Sequence, residues 1–143
     1  FDHKNWDKAI AHAAETGKPL VVKVGASWCA PCQAMNSKIM SNPELKKRLD
    51  KEATFVNIEI DGHGDSQATR AKADKIAKEL GVRSYPSVYI LTLENKNGKP
   101  VPKQVKKAGY LNVNGFNGFL DAQSNGLKTA AQGIKDAGFG PTD

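Results

Sequence analysis

Pro19-Leu20-Val21-Val22-Lys23-Val24-Gly25 runs through Ala26 into Ser27-Trp28-Cys29-Ala30-Pro31-Cys32. The run from Leu20 to Val24 is rich in β-branched residues and bounded by a proline and a glycine, which predicts a buried strand. Beyond the cysteines, Met35, Ile39 and Met40 keep helical spacing. A strand therefore turns into a helix at the cysteine pair, with Cys29 at the helix N-terminus and Cys32 one turn inside. That placement allows an intramolecular disulfide. Near free N–H groups and the positive end of the helix dipole, a thiol pKa falls from about 8.5 toward about 7. The thiolate fraction at pH 7 then rises from about 3% to about 50%, while intrinsic nucleophilicity falls about fivefold, so attack gains only about threefold. The larger gains are a better leaving group at Cys29 and a tethered Cys32 that resolves a mixed disulfide.

Three readings of the pair are open at this level: redox chemistry, half of a metal site, and inert buried thiols. Zinc takes four ligands, and His3, His12 and His63 lack the spacing that would complete a set. No metal is expected, and redox chemistry is the favoured reading.

Outward from the motif, Trp6, Ile10, Ala13 and Ala14 predict a first helix capped by Asn5 or Asp7 and stopped by Gly17 and Pro19. Asn42-Pro43-Glu44 restarts a helix carrying Leu45 and Leu49 on one face. Thr54 to Ile60 reads as a strand and Gly62 to Asp65 as a loop. Gln67 to Leu80 reads as a helix closed by Gly81. Ser87 to Leu93 is the clearest strand. Asn95-Lys96-Asn97-Gly98 turns it back into a weaker antiparallel strand over Lys103 to Gly109. Val113 to Leu120 opens a final helix running on toward Leu127 and Ile134, and the tail from Gly138 to Asp143 is expected to fray. A βαβ half followed by a ββα half gives an α/β fold with a mixed central sheet flanked by helices.

The 143 residues fit a single domain, 1–143, with a short C-terminal extension from about residue 124. A chain of this size buries on the order of 70% of its unfolded surface, enough for a core without disulfide staples. With 39% hydrophobic and 25% charged residues and a mean hydropathy of -0.51, disorder is excluded. No apolar run reaches the ~18 residues of a membrane span. The net charge is +6, and 18 of the 21 basic residues are scattered lysines, which argues against nucleic acid as a partner. The chain begins at Phe1 without an initiator Met, which implies removal of a leading segment, by a signal peptidase or by design of the expressed chain.

Trp28-Cys29-Ala30-Pro31-Cys32, Ser84-Tyr85-Pro86 just before a strand, and Gly109 before the last helix together resemble the thioredoxin superfamily. The likeness covers about Trp6 to Gln123. From Trp28 to Gly62, with Met35 and Ser41-Asn42-Pro43-Glu44, the chain is most similar to exported bacterial thioredoxin-like proteins and to the C-terminal domain of transmembrane thiol:disulfide interchange proteins. The resemblance implies a thioredoxin-like fold, a cis Pro86 facing the cysteines, Cys29 as nucleophile and Cys32 as resolving thiol. Trp28 and Tyr85 would meet the substrate, as against a packing role for either. Ala30 and Pro31 would tune the pair, with Pro31 favouring the reducing direction. The implied function is thiol:disulfide exchange on protein disulfides, recharged by a reducing partner protein or a small thiol, without a cofactor. The implied compartment is periplasmic or otherwise extracytoplasmic, with the cytoplasm as the alternative.

Two departures stand out. Lys23 occupies the position where many relatives carry a buried acid, and Asn36 replaces a second acid one turn after the motif. A buried Lys23 must lose its proton, find a carboxylate or sit near a thiolate, and the last would make the disulfide more oxidising. Besides this loss of two acids, the other departure is an insertion around Gly62 to Ala73, a candidate for partner choice. His63, between two glycines, reads as solvent-exposed, and Met35 and Met40 as core fillers. Lys46-Lys47-Arg48 reads as a solvated helix face, with a docking patch as its alternative. Two other functions fit: a thioredoxin-fold binding or chaperone module with non-catalytic cysteines, and a membrane-associated electron relay whose cationic surface docks on an acidic domain.

Overall fold

Every position of β1, Leu20–Ala26, is buried, because its alternating side chains enter two separate cores. The computed structural model describes residues 1–141. Around β1 are α1 (Trp6–Thr16), α2 (Ala30–Met40), α3 (Pro43–Glu52), β2 (Thr54–Ile60), α4 (Gln67–Leu80), β3 (Ser87–Lys96), β4 (Lys99–Ala108), α5 (Val113–Asp121) and α6 (Leu127–Asp136). The strand order is β2-β1-β3-β4, with β1 parallel to β2 and antiparallel to β3, and β3 antiparallel to β4. One core joins Leu20, Val22 and Val24 to Ala9 and Ala13 of α1 and to Ala73 and Ile76 of α4. The other joins Val21, Val88 and Ile90 to Met35 and Ile39 of α2, Leu45 and Leu49 of α3, and Phe116 and Leu120 of α5. The mixed sheet flanked by helices is the architecture expected.

The parallel register sets Lys23 beside Asn57 and Gly25 beside Glu59. It brings the middle of β2 up to the strand that leads into the cysteines. Gly17 and Gly81 close α1 and α4 in the left-handed conformation, as the sequence implied.

Several expectations are corrected. Asn5 stands at the N-cap of α1, yet its side chain turns back to accept the Asp2 N–H at 2.8 Å, closing a 3-10 turn over His3–Asn5. β4 starts at Lys99, four residues early, because the Asn97-Gly98 turn has positive φ at both residues and folds tightly. The final helix is two helices. Gly126 lies against the carbonyls of Leu120 and Ala122, where a side chain would collide, and the chain breaks there before α6. The residues expected as an extension from about 124 pack onto the sheet: Leu127, Ala130 and Ile134 are buried, and Thr92 Oγ1 donates to the Ala130 carbonyl at 2.7 Å. The expected fraying also fails within the described residues. The Gly140 N–H donates to the Ala14 carbonyl at 2.6 Å and Phe139 packs against the first core, while 142 and 143 lie outside the described residues. Met40 is 60% exposed because it sits on the last turn of α2, beyond the core that Met35 fills. Arg48 is not a free face residue. It bonds Glu52, Asn117 and Asp121, tying α3 to α5, while Lys46 and Lys47 are exposed.

Gly133 of α6 lies directly on the Thr92 side chain, leaving no room for a methyl group. We expect Gly133→Ala to lower stability by about 1–3 kcal/mol by pushing α6 off β3, read as a lower denaturant midpoint at unchanged slope.

Candidate active site

The buried end of β1 aims the chain into the cysteine turn. Ser27 continues the sheet, its N–H donating to the Ile60 carbonyl at 3.0 Å and its hydroxyl to the Asp61 carbonyl at 2.5 Å. The Cys29 N–H then reaches back to the Ala26 carbonyl at 3.1 Å, so the chain reverses within one turn. Cys29 is the N-cap of α2, its sulfur accepting the Cys32 N–H at 3.2 Å. Pro31 falls in the first helical turn, where its missing donor is not needed.

Cys29 and Cys32 are joined by a disulfide across a Cα separation of 5.3 Å. Cys29 is 6% exposed and Cys32 is fully buried. Of the two residues, Cys29 is the one that retains accessible surface. Ala30 and Pro31 are exposed beside it. Trp28, 64% exposed, packs edge-on against Tyr85 with ring centroids 5.6 Å apart. The indole N–H donates to Asp61 Oδ2 at 3.0 Å, which fixes the ring. Tyr85 packs against the core that holds both cysteines. Burial, with Asp74 and Asp61 nearby, raises its hydroxyl above the usual range and keeps it protonated. The Tyr85–Pro86 peptide is cis, and the Pro86 carbonyl abuts Gly109. The structure thus gathers Trp28, Cys29, Ala30, Pro31, Cys32 and Tyr85 at one end of the sheet. His63 is exposed and takes no part.

Beneath the disulfide lies a charged interior. Lys23 is 1% exposed, and its Nζ donates to Asn57 Oδ1 at 3.4 Å. A methyl group on Gly25 would stand 3.2 Å from Lys23 Nζ and 3.3 Å from Cys32 Sγ, so both line the space that the glycine leaves open. Burial pushes the Lys23 ammonium down from 10.5 to about 8, with the Glu59 carboxylate acting in the opposite direction. Glu59 is held by Gln33, whose amide donates to it at 3.3 Å. Asn36 lines the same small cavity.

Sequence reasoning missed Asp61, Asn57 and Glu59. The signal lay in the alternation of β2: pairing it in parallel with β1 sets Asn57 and Glu59 beside Lys23 and Gly25. His3 was also missed as a structural residue. Buried at the N-terminus, it contacts Asp65 Oδ2 through Nε2 at 2.9 Å and accepts the Glu59 N–H through Nδ1 at 3.4 Å, tying the inserted loop to β2.

The chain belongs to the thioredoxin-like family, whose model it matches over residues 2–92. It is 27% identical over 104 residues to thioredoxin H5 of Oryza sativa subsp. japonica, covering 73% of this chain and 64% of that one. It is 26% identical over 89 residues to the thiol:disulfide interchange protein DsbD of Neisseria meningitidis, covering 62% of this chain and 14% of DsbD. Among solved structures, the DsbH oxidoreductase superimposes with a TM-score of 0.61 at 17% identity, covering 92% of this chain and 80% of that one, which establishes the shared fold. The chain therefore spans just under two thirds of the rice protein and a small part of DsbD. Family membership and the closed Cys29–Cys32 pair support thiol:disulfide oxidoreductase activity.

In the unfolded chain Lys23 holds its proton up to pH 10.5, while in the oxidised folded protein it loses it at about 8. Between those values the unfolded state binds more protons, so wild-type stability rises with pH across that window. We expect Lys23→Met to stabilise the oxidised protein by about 3 kcal/mol at pH 7, the gain shrinking between pH 8 and 10.5. Urea titrations of both proteins across that range measure it.

Proposed function

We propose that the protein reduces disulfides of protein substrates, with Cys29 as the attacking sulfur and Cys32 as the resolving one. The observation that carries this reading is the asymmetry of the pair: Cys29 borders solvent at a helix start and Cys32 is sealed behind it. In the reduced protein the Cys29 thiolate attacks a substrate disulfide, one substrate sulfur leaves as a thiolate, and a mixed disulfide forms. Cys32 then attacks Cys29 Sγ and displaces the second substrate sulfur. Two electrons pass to the substrate, and the Cys29–Cys32 disulfide closes. A dithiol protein or small thiol returns the electrons, and no cofactor enters.

Trp28 and Tyr85 form the aromatic wall against which a substrate segment rests, and Pro86 lines the same end of the sheet. Ala30 and Pro31 set the motif's redox poise, with Pro31 supporting the reducing direction. The 143 residues work as one domain, with α6 as part of it. We assign the protein to an extracytoplasmic compartment on the strength of its likeness to DsbD.

Insulin reduction tests the reading. We expect wild type to accelerate precipitation of the insulin B chain, Cys29→Ser to fall to the uncatalysed rate, and Cys32→Ser to accumulate a covalent mixed disulfide visible by mass. Equal rates for wild type and Cys29→Ser would overturn it in favour of a binding module with idle cysteines.

A further inference from the structure

The turn after β4 emerges at the sulfur end of the sheet, because β3 and β4 pair with Val88 opposite Ala108. Gly109 lies against the Pro86 carbonyl, and the Leu111 N–H donates to Met35 Sδ of α2 at 3.4 Å. Tyr110 is pinned between these two anchors and is 44% exposed. From α2, Lys38 Nζ donates to the Tyr110 hydroxyl at 2.8 Å. Nζ stands 5.4 Å from the ring centroid, so the ammonium sits beyond the hydroxyl and not over the ring face. Two ammonium N–H groups and the phenol O–H are left to donate outward. Among the described residues, no carboxylate lies within ion-pair distance of Lys38 and nothing accepts from the Tyr110 hydroxyl. Lys38 is the only charged residue of α2, and the stretch from Gly109 to Leu120 carries none. Leu111 and Met35 belong to the second core and Tyr85 to the first, so Tyr110 and Tyr85 flank the sulfur end from opposite faces of the sheet. On the Tyr85 side the nearby charges include the carboxylates of Asp61 and Asp74, and Arg83 is exposed three residues before Pro86.

We propose that Lys38 and Tyr110 recognise an acidic side chain of the protein substrate, close in sequence to the cysteine that Cys29 attacks; this rests on the exchange reading above. A carboxylate accepts from the remaining ammonium donors and from the phenol hydroxyl together, which gives it charge-assisted hydrogen bonds. The hydroxyl holds the ammonium in place before the substrate arrives, so less side-chain freedom is lost on binding. Asp61 and Asp74 repel the same group from the Trp28 and Tyr85 side. The two margins of the sulfur end therefore differ in sign, and an acidic residue of the substrate is directed toward α2. The aromatic wall of Trp28 and Tyr85 supplies apolar contact, while the Lys38–Tyr110 pair supplies selection by charge.

Peptides carrying one cysteine as a thiopyridyl disulfide test the assignment. Attack on the peptide sulfur by the reduced protein releases a thiopyridine that absorbs in the near ultraviolet. Paired peptides place Glu or Gln at each of the two positions on either side of that cysteine, and the ratio of their rate constants is read for each pair. A ratio cancels any general loss of activity in a variant. We expect wild type to favour Glu about three- to fivefold at its preferred position at low salt, and to lose most of that preference at about 0.5 M salt. Lys38→Met should bring the ratio to about one, Lys38→Glu should invert it, and Tyr110→Phe should lower it to about twofold. Arg83→Gln should leave it unchanged. A wild-type ratio of one at every position, a ratio unaltered in Lys38→Met or in Tyr110→Phe, or its loss in Arg83→Gln would each overturn the assignment. A wild-type protein that reacts with no peptide and leaves insulin intact would instead refute the exchange reading itself.

Discussion

The contact between Gly25 and Cys32 is the constraint from which the site follows. β1 is committed to two cores, so it cannot shift along its axis without stripping side chains from both. The first turn of α2 must therefore come to the strand. It comes closest where the strand carries no side chain: a methyl group at Gly25 would crowd Cys32 Cβ at 3.0 Å. The complete burial of Cys32 against β1 follows from that close approach.

Much of this was legible from residue patterns. β2 and α4 begin and end where alternation and helical spacing set them, Gly17 and Gly81 cap their helices, and the strand-to-helix turn at Cys29 is written in Val24 to Cys32. What escaped reading depends on contacts between distant segments. The break between α5 and α6 arises because Gly126 meets carbonyls in a turn that helical spacing alone does not reveal. The docking of Gly140 depends on Ala14, more than a hundred positions away. Met40 keeps helical spacing with the residues before it, yet at the last turn of α2 the core has ended.

The same distinction applies within the site. Cys29, Cys32, Trp28 and Tyr85 stand out by type and spacing. Lys23 stands out as a charge in an apolar strand, but its neighbours do not, because Asn57 and Glu59 are ordinary residues until the parallel register sets them beside it. The burial of the amine has a cost that a methionine would not incur.

The treatment of the sheet's two margins bears on how the protein behaves when crowded. Along the outer side of β2 the chain's own beginning is laid down, with Asp2 bridged to Asn57, the Asn57 N–H donating to the Phe1 carbonyl and His3 seated under Glu59. The outer side of β4 carries Pro100 and Pro102, which lack donors, among Lys99, Lys103, Lys106 and Lys107. One rim is occupied by self, the other by prolines and a row of lysines. A neighbouring copy thus finds little backbone to zip onto, and the molecule is guarded against fibrous self-assembly while its sulfur end stays open to visitors.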